Sequence, residues 1–325
     1  MAMMKAAVCR RYGPPDNVRI EEVERPEPRP DELLIRIRAT TVSSGDWRIR
    51  SLTAPAGFGL MMRAAFGLLG PRNPILGTEL AGTIEAVGES VTAFVPGDAV
   101  VGYPSRPNGC HAEFRTMKAS DRIIRKPARL SFEQAAAMCF GGASALDFLS
   151  DRAKLQPGER VLVIGASGAL GSAAVQIAKH IGTHVTAICS AANADLVHAL
   201  GADRVIDYAR EDVRQSGLTY DVIFDAVGEA SFKSCAHLLK PNGRLLLLAA
   251  GVPQMIDAIG TKPDGKRVFA GPAKETTAHL QTLGAMADAG WYRPVIDQVL
   301  PLARIAEAHA RVESRRKRGS VVIAI

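Results

Sequence analysis

Short apolar segments separated by turn-forming residues occupy the first third of the chain. Segments of this length, bounded by Gly, Pro, Asn and Asp, are typical of β-strands. The predicted strands cover residues 5–9, 32–41, 82–87, 99–102 and 113–117. Their spacing predicts a compact β-rich domain over residues 1–125.

A long stretch between residues 50 and 74 interrupts these strands and is punctuated by Gly and Pro. Its apolar side chains are Phe58, Leu60, Met61, Met62, Phe66, Leu68 and Leu69. Such a stretch fits a loop or short helix that covers a substrate. It fits equally a helix packed on the first domain, because Met and Phe at mixed spacing commonly fill cores. The sequence leaves both interpretations open.

From residue 131 onward the pattern alternates between strands and helices. Ser131 and Gln134 form a Ser-x-x-Gln capping box, which predicts that a helix begins there. Strands are predicted at residues 160–164, 185–188, 205–207, 221–226 and 244–249, with helices at 170–181, 193–200 and 231–239. Gly182 is expected to end the helix at 170–181, and residues 241–243 are expected to form a turn. This alternation predicts an α/β fold with a doubly wound parallel sheet over residues 126–262.

The last segment of the chain has its own short pattern. Helices are predicted at residues 275–289 and 302–313, and a strand at residues 320–325. We expect residues 263–325 to return to the first domain and complete it.

Composition argues against several classes of protein. No apolar run approaches the roughly 20 residues needed to span a bilayer, and no secretory segment follows residues 1–5. The five cysteines are scattered and odd in number, unlike a disulfide framework, so free thiols are expected. The net charge of +7 comes from dispersed Lys and Arg, which disfavours a nucleic-acid partner. We expect a cytoplasmic protein without a membrane partner.

The sharpest local signal is a buried strand, a glycine-punctuated turn and a helix rich in small residues, together spanning residues 161–179. Gly165 permits a tight turn, Gly168 lets backbone amides approach a pyrophosphate, and Gly171 lets the helix lie close to the strand. The helix N-terminus also favours an anion. The Gly-x-x-Gly-x-x-Gly spacing departs from the common Gly-x-Gly-x-x-Gly. The flanking strand and helix nevertheless favour a dinucleotide site over tight packing alone.

The residues that follow the next strand bear on the choice of dinucleotide. An NAD site normally places Asp or Glu there, on the ribose hydroxyls, whereas this chain runs from Ser190 through two alanines to Asn193. No carboxylate repels a 2′-phosphate, and both side chains can donate hydrogen bonds to one. NADPH is therefore the predicted cofactor. Arg210 and the basic run 315–318 remain open as its positive partner, and Asp195 is expected to favour the helix dipole instead.

Several spaced motifs together resemble the medium-chain dehydrogenase/reductase superfamily, in particular its zinc-free quinone oxidoreductase branch. They are Gly77-Thr-Glu-Leu-Ala-Gly82, residues 87–100, the glycine turn with its helix to residue 179, and residues 294–309. The resemblance covers essentially the whole chain. It implies a Rossmann domain and a β-rich, GroES-like twisted-barrel catalytic domain formed by both chain ends. It also implies a homodimer, which would cover an exposed sheet edge.

Zinc alcohol dehydrogenases of this superfamily hold a catalytic ion with Cys, His and often Glu. The resemblance places Ser43 where Cys would stand and Thr78 where His would stand, which leaves Glu79 alone. Only Cys110 occurs where a four-cysteine structural zinc lobe is expected, and neither it nor His111 is interpreted as a ligand. We predict no metal.

The same resemblance implies individual site residues. Ser43 takes the position of a family Asn and is the predicted catalytic residue, through a hydrogen bond to a substrate oxygen, while Asp46 is expected to hold the loop. The residues predicted to bind the cofactor are Ser144, Gly165, Ser167, Gly168, Ala169, Leu170, Gly171, Ser190, Asn193, Tyr208, Val227, Gly228, Ala249, Ala250, Gly251 and Arg318. Tyr208 either flanks the adenosine or packs on the sheet. No general acid is evident.

These features favour an electron-poor substrate. An unactivated ketone would lack its Lewis acid without zinc, whereas a small hydrophobic quinone or α,β-unsaturated carbonyl accepts hydride directly. We therefore predict an NADPH-dependent reductase of such compounds. One alternative is an enoyl-thioester reductase, with residues 58–69 accommodating the acyl chain. The other is a non-enzymatic NADPH-responsive protein that uses residues 315–318 to bind nucleic acid.

Overall fold

The structure, a computed structural model, describes residues 2–54, 59–105, 108–260 and 262–325. Phe58, part of the apolar stretch noted above, lies outside the described residues. The strands are β1 (Met3–Cys9), β2 (Val18–Glu24), β3 (Glu32–Val42), β4 (Leu80–Val87), β5 (Ala99–Tyr103), β6 (Phe114–Lys118), β7 (Arg122–Arg125), β8 (Arg160–Ile164), β9 (His184–Cys189), β10 (Arg204–Asp207), β11 (Tyr220–Asp225), β12 (Leu239–Leu247), β13 (Arg267–Ala270), β14 (Ile296–Pro301) and β15 (Ser320–Ala324).

The helices alternate with these strands most regularly in the middle of the chain. They are α1 (Ser44–Ser51), α2 (Gly59–Phe66), α3 (Phe132–Leu146), α4 (Ala169–Ile181), α5 (Ala194–Ala199), α6 (Phe232–Cys235), α7 (Val252–Asp257), α8 (Thr277–Asp288) and α9 (Ile305–Glu313). None of the helices in the described ranges is long and apolar enough to cross a membrane.

The described residues fall into two compact units. Unit 1 holds residues up to Phe140 together with Thr276–Ile325, and unit 2 holds Gly141–Glu275. The chain therefore leaves unit 1 and returns to it. From the sequence we predict domain boundaries after residues 125 and 262. The exact positions of these boundaries stay predictions.

Unit 1 is built on an antiparallel sheet that joins both ends of the chain. In the described part of the chain its strand order is β14-β15-β3-β4-β5-β7, with β6 paired to β3. The C-terminal strand β15 runs antiparallel to β3, with Val321 opposite Val42. Because one face of each strand is buried, side chains such as Leu33, Ile35 and Ile37 line a common core. This is the expected GroES-like, β-rich architecture.

Unit 2 is a parallel sheet with strand order β10-β9-β8-β11-β12-β13 over the residues described. Its central strands are covered on both faces, so β8 carries three consecutive fully buried residues, Val161, Leu162 and Val163. The crossover α4 ends where Gly182 adopts a left-handed φ of 93°, as predicted. The predicted doubly wound Rossmann architecture is confirmed.

The capping box at the start of α3 is also confirmed. The Ser131 amide donates to Gln134 Oε1 at 3.1 Å, and the Gln134 amide donates to Ser131 Oγ at 3.2 Å. Two amides that the first helical turn leaves without partners are thereby satisfied.

Two local predictions in unit 2 were wrong. Residues 241–243, predicted as a turn, lie inside β12, and the pairing with β11 shifts register between Tyr220 and Val222. Pro241 has no amide hydrogen to donate, so an irregular strand accommodates a sequence that resembles a turn. The predicted helix at 231–239 shortens to α6 followed by a 3₁₀ turn at Ala236–Leu238.

Four strands, β2, β7, β13 and β14, were not predicted at all. β2 exposes most of its residues and buries only Val18 fully, so its charged sequence lacks a strong apolar pattern. β7 and β13 have only four residues each. All four depend on pairing with a neighbouring strand, which local sequence does not reveal.

The stretch between residues 50 and 74 divides its apolar side chains between core and solvent. Phe66 packs against the unit 1 core. Met61, Leu68 and Leu69, in contrast, are 56%, 70% and 90% exposed. The packing interpretation holds for Phe66, and the substrate-covering interpretation stays a prediction for the exposed side chains.

A fully buried imidazole on α9 ties the stability of unit 1 to pH. His309 is 0% exposed, and its ring meets the edge of His111 at a centroid distance of 5.9 Å. Burial, together with the charges of His111 and Arg50, holds the pKa of His309 well below its ordinary value. The folded chain therefore binds this proton less readily than the unfolded chain does.

We predict that unit 1 loses stability as the pH falls below about 6.5, the ordinary histidine pKa, with a slope of about 1.4 kcal/mol per pH unit from His309. His309→Leu should remove this part of the slope. Urea unfolding followed by tryptophan fluorescence at pH 5 to 8 measures it, because Trp47 and Trp291 both lie in unit 1. His237→Leu in unit 2 should keep the wild-type slope, and an unchanged slope in His309→Leu would contradict the prediction.

Candidate active site

The glycine turn of unit 2 connects β8 to α4 and is fastened to the neighbouring strand. Gly165 has φ of +78°, a left-handed conformation that favours glycine. The amides of Gly165 and Ala166 both donate to the Ile188 carbonyl on β9, at 3.1 and 3.0 Å. The turn is thereby held at the carboxyl edge of the sheet, where open α/β folds bind ligands.

The second and third glycines have different surroundings. A Cβ on Gly171 would lie 2.2 Å from the Gly165 carbonyl oxygen and 2.7 Å from the Ala166 Cα. A Cβ on Gly168 would find no atom closer than 3.7 Å. Gly171 thus permits close packing of α4 on the turn, while Gly168, the N-cap of α4, faces open space. The first-turn amides of α4 are free to meet an anion there.

Polar side chains at the end of β9 border this turn. Asn193 Nδ2 donates to Ser167 Oγ at 3.0 Å, and the Asn193 amide donates to the Ser190 carbonyl at 2.9 Å. Tyr208 follows the adjacent strand β10, and its amide donates to the Cys189 carbonyl at 3.3 Å. The Tyr208 side chain is 66% exposed, so it offers a face to a ligand instead of filling the core.

Near the end of β9, the charged side chain of Asp207 already has a basic partner. No carboxylate occurs between Cys189 and Asn193. Asp207, which ends β10, pairs with Arg210 at 3.7 Å and accepts from the Ala209 amide at 3.1 Å. Asp195 lies in the first turn of α5, as expected from the sequence.

The turn after β11 forms the opposite wall. A Cβ on Gly165 would come within 2.3 Å of Val227 Cγ2. Gly228 has φ of +92°, and a Cβ on it would lie 3.0 Å from Ala249 Cβ. Gly251, after Ala250, is the N-cap of α7. The structure therefore brings residues 165–171, 227–228 and 249–251 together.

The remaining predicted cofactor residues have separate positions. Ser144 belongs to unit 2, and its hydroxyl lies 3.4 Å from Glu275 Oε1. Its helix α3 reaches the site, because a Cβ on Gly141 would lie 2.4 Å from the Ala169 carbonyl oxygen. Arg318 belongs to unit 1, where its amide donates to Asp297 Oδ1 at 2.9 Å. Its role toward a cofactor stays a prediction.

Ser43 and Asp46 form a capping box at the start of α1 in unit 1. The Ser43 hydroxyl donates to Asp46 Oδ2 at 2.6 Å and accepts from the Asp46 amide at 3.2 Å. Asp46 Oδ1 also accepts from the Gly77 amide at 2.9 Å. Asp46 thus holds the loop, as expected from the sequence. Ser43 has a structural role as the helix cap, and its catalytic role stays a prediction.

Glu79 is a buried carboxyl group with partners on both oxygens. Oε1 accepts from the Thr41 hydroxyl, and Oε2 accepts from the Phe140 amide at 2.6 Å. Burial raises the pKa of Glu79 to about 8. Burial thus favours the neutral carboxyl form of Glu79 in the protein without a bound cation.

The other residues near this position do not complete a zinc site. Cys110 is fully buried, and burial raises the pKa of its thiol to about 12. His111 Nε2 is held 2.9 Å from the Thr41 carbonyl oxygen. Within the described ranges, no three His, Cys, Asp or Glu side chains are grouped closely enough to hold a metal ion. These residues do not fit a tetrahedral zinc centre.

Asp225 was missed by sequence reasoning. It ends β11, is 0% exposed, and its carboxylate accepts from backbone amides of the turn that carries Val227 and Gly228. The signal was an acidic residue directly after a buried apolar strand, two residues before a valine-glycine turn.

Comparisons with known proteins agree with this geometry. Residues 29–146 match the family described as alcohol dehydrogenase GroES-like domain, and residues 200–323 match the family described as zinc-binding dehydrogenase. Quinone oxidoreductase from Sus scrofa is 30% identical, with 99% of this chain and 98% of that protein covered. Quinone oxidoreductase from Pseudomonas aeruginosa is 30% identical, with coverages of 96% and 97%. The solved structure of the quinone oxidoreductase from Coxiella burnetii superposes with a TM-score of 0.88 at 27% identity, covering 100% of both chains.

The two glycines give a matched pair of tests. Gly168→Ala places a methyl group in open space on the ligand side, so we expect the dissociation constant of a bound dinucleotide to rise about 10-fold with little change in Tm. Gly171→Ala forces α4 away from the turn, and overpacking of this kind costs roughly 1–3 kcal/mol. Fluorescence titration and thermal unfolding measure the two effects. Equal losses of stability in both variants would contradict this assignment.

Proposed function

Because this chain belongs to the medium-chain dehydrogenase/reductase superfamily, in its quinone oxidoreductase-like branch, we propose that it is an NADPH-dependent, zinc-independent reductase of quinones or α,β-unsaturated carbonyls. The chain is an oxidoreductase that uses a nicotinamide cofactor. Three elements of this function are proposed: the preference for NADPH, the zinc-independent mechanism and the class of acceptor.

The observation that carries the proposal is the glycine turn at the N-terminus of α4, open at Gly168 and bordered by uncharged side chains. The residues present fit a dinucleotide, because backbone amides can hold its pyrophosphate and the exposed Tyr208 ring can flank its adenine. Ser190 and Asn193 supply hydrogen-bond donors for a 2′-phosphate where an NAD site would carry a carboxylate. Arg210 or Arg318 would supply the positive charge.

The side chains available as zinc ligands support an electron-poor hydride acceptor. Ser43 and Thr78 are poor ligands for zinc, and Glu79 is buried with both oxygens occupied. When bound, a reduced nicotinamide supplies a hydride, which an already electron-poor carbon accepts without a Lewis acid. The contribution of the protein is to bind and orient the reactants and to keep water away from them. Hydroxyl groups and backbone amides would stabilise the oxygen that gains negative charge.

We also propose that the protein acts as a cytoplasmic homodimer and binds neither nucleic acid nor a membrane. β13 and β10 are the two edge strands of the unit 2 sheet over the residues described. An unpaired edge strand is a template for pairing with a second copy of the chain.

The reaction itself is tested by following NADPH absorbance with a benzoquinone and an enone, in the presence of a chelator. We expect turnover that a chelator leaves unchanged and that added zinc does not increase. Loss of activity with the chelator, restored by zinc, would refute the zinc-independent part. Binding of NADPH without turnover of any quinone, alkenal or enone would refute the proposed reaction, and turnover of enoyl thioesters alone would favour the alternative reductase.

Cofactor preference is tested at the end of β9. Ser190→Asp places a carboxylate beside the expected 2′-phosphate, so we predict that kcat/KM for NADPH falls about 100-fold while that for NADH rises. Gln215→Glu adds the same charge to an exposed position of unit 2 and should leave the ratio unchanged. A wild-type preference for NADH, or an unchanged ratio in Ser190→Asp, would show that the phosphate does not lie beside Ser190.

A further inference from the structure

A buried carboxylate organises the turn that follows β11. Asp225 Oδ1 accepts from the amides of Val227 and Gly228, at 2.8 and 3.0 Å, and Oδ2 accepts from the amide of Ala230 at 2.8 Å. The side chain is 0% exposed. Both oxygens therefore point into the turn and are unable to contact a ligand directly.

Asp225 forms its hydrogen bonds with backbone amides. Among the residues that the structure describes, none of the ion pairs involves Asp225. A buried charge without a cation is costly unless hydrogen-bond donors surround it, and here backbone amides are the donors. The carboxylate and the turn conformation thus depend on each other. A turn that moved its amides away would leave the charge unsatisfied.

The turn held in this way is a wall of the phosphate loop. The Val227 side chain lies against Gly165, so closely that a Cβ there would come within 2.3 Å of Val227 Cγ2. Gly228 packs against Ala249 on the next segment of the site. A shift of the turn would therefore disturb two other cofactor segments, while the hydrogen bonds of the Asp225 side chain go to the turn itself.

We propose that Asp225 is a positioning residue for the cofactor: by holding three backbone amides it keeps the Val227–Gly228 turn in the conformation that binds the nicotinamide dinucleotide. This inference rests on the proposed function. The carboxylate would set how much of the unliganded protein is competent to bind, because the apparent dissociation constant rises as the competent fraction falls. Once the cofactor is bound, the turn is in place, and the reaction should proceed at a nearly normal rate.

Two substitutions of Asp225 remove different numbers of its hydrogen bonds. The side-chain oxygen of Asp225→Asn can still accept from Val227 and Gly228, but its NH₂ group would face the Ala230 amide, so one hydrogen bond is lost. Asp225→Ala loses all three. We expect the dissociation constant for NADPH to rise about 10-fold in Asp225→Asn and about 100-fold in Asp225→Ala. The kcat at saturating NADPH and the KM for the quinone should stay within about twofold of wild type.

Asp221→Asn is the matched control. Asp221 lies near the start of the same strand and also holds backbone, since it accepts from the Arg160 amide at 2.8 Å and from Lys240 Nζ at 2.7 Å. Asp221 lies near the amino end of β11, whereas the glycine turn lies at the carboxyl edge of the sheet. We expect this variant to lower Tm without changing the dissociation constant for NADPH.

NADPH fluorescence titration, steady-state kinetics and thermal unfolding of the full chain separate the possible results. If wild type does not bind NADPH, the proposed function fails. If wild type binds it and folded Asp225 variants bind equally tightly, or lose kcat at an unchanged dissociation constant, the positioning role is refuted while the function stands. An equal rise in the dissociation constant of Asp221→Asn would also refute the positioning role, because it would show a general effect of lost stability. Should Asp225→Ala fail to fold, Asp225→Asn alone decides.

Discussion

The candidate cofactor site depends on the close approach of α4 to the turn that leaves β8. Gly171 leaves room for that approach, since any side chain there would collide with the backbone of Gly165 and Ala166. The contact directs the first-turn amides of α4 to the carboxyl edge of the parallel sheet. The turns after β9, β11 and β12 end at the same edge and therefore meet around the glycine turn. A parallel sheet buried on both faces makes this convergence unavoidable.

Buried carboxyl groups stabilise both units through backbone amides. Asp46 joins the cap of α1 to Gly77, Glu79 joins β4 to α3, and Asp225 closes the turn after β11. A buried acidic group is expensive in an apolar interior, so each one restricts the backbone that satisfies it to few conformations. The oxygens of Asp46 and Glu79 are occupied by hydroxyl and amide donors. These carboxyl groups thus have a structural role in the folded chain.

The proposed preference for NADPH follows from the lack of a carboxylate between Cys189 and Asn193, at the end of β9. Ser190 and Asn193 bring donors without negative charge, and Asn193 is already oriented by its bond to Ser167 on the glycine turn. The nearby Asp207 is paired with Arg210, which reduces its repulsion of a phosphate. In this proposal, discrimination between the two dinucleotides depends on neutral donors and a basic side chain, and a single carboxylate at position 190 would reverse it.

Local sequence determined the elements whose periodicity is strong, such as β8, α4 with its end at Gly182, and the capping box at Ser131. It also determined the glycine turn, because the spacing of three glycines between a buried strand and a helix has few structural solutions. Only the tertiary structure decided β2, the irregular strand at Pro241 and the complete burial of Asp225. Those features depend on partners distant in sequence or on burial, and a local pattern of side chains carries information about neither.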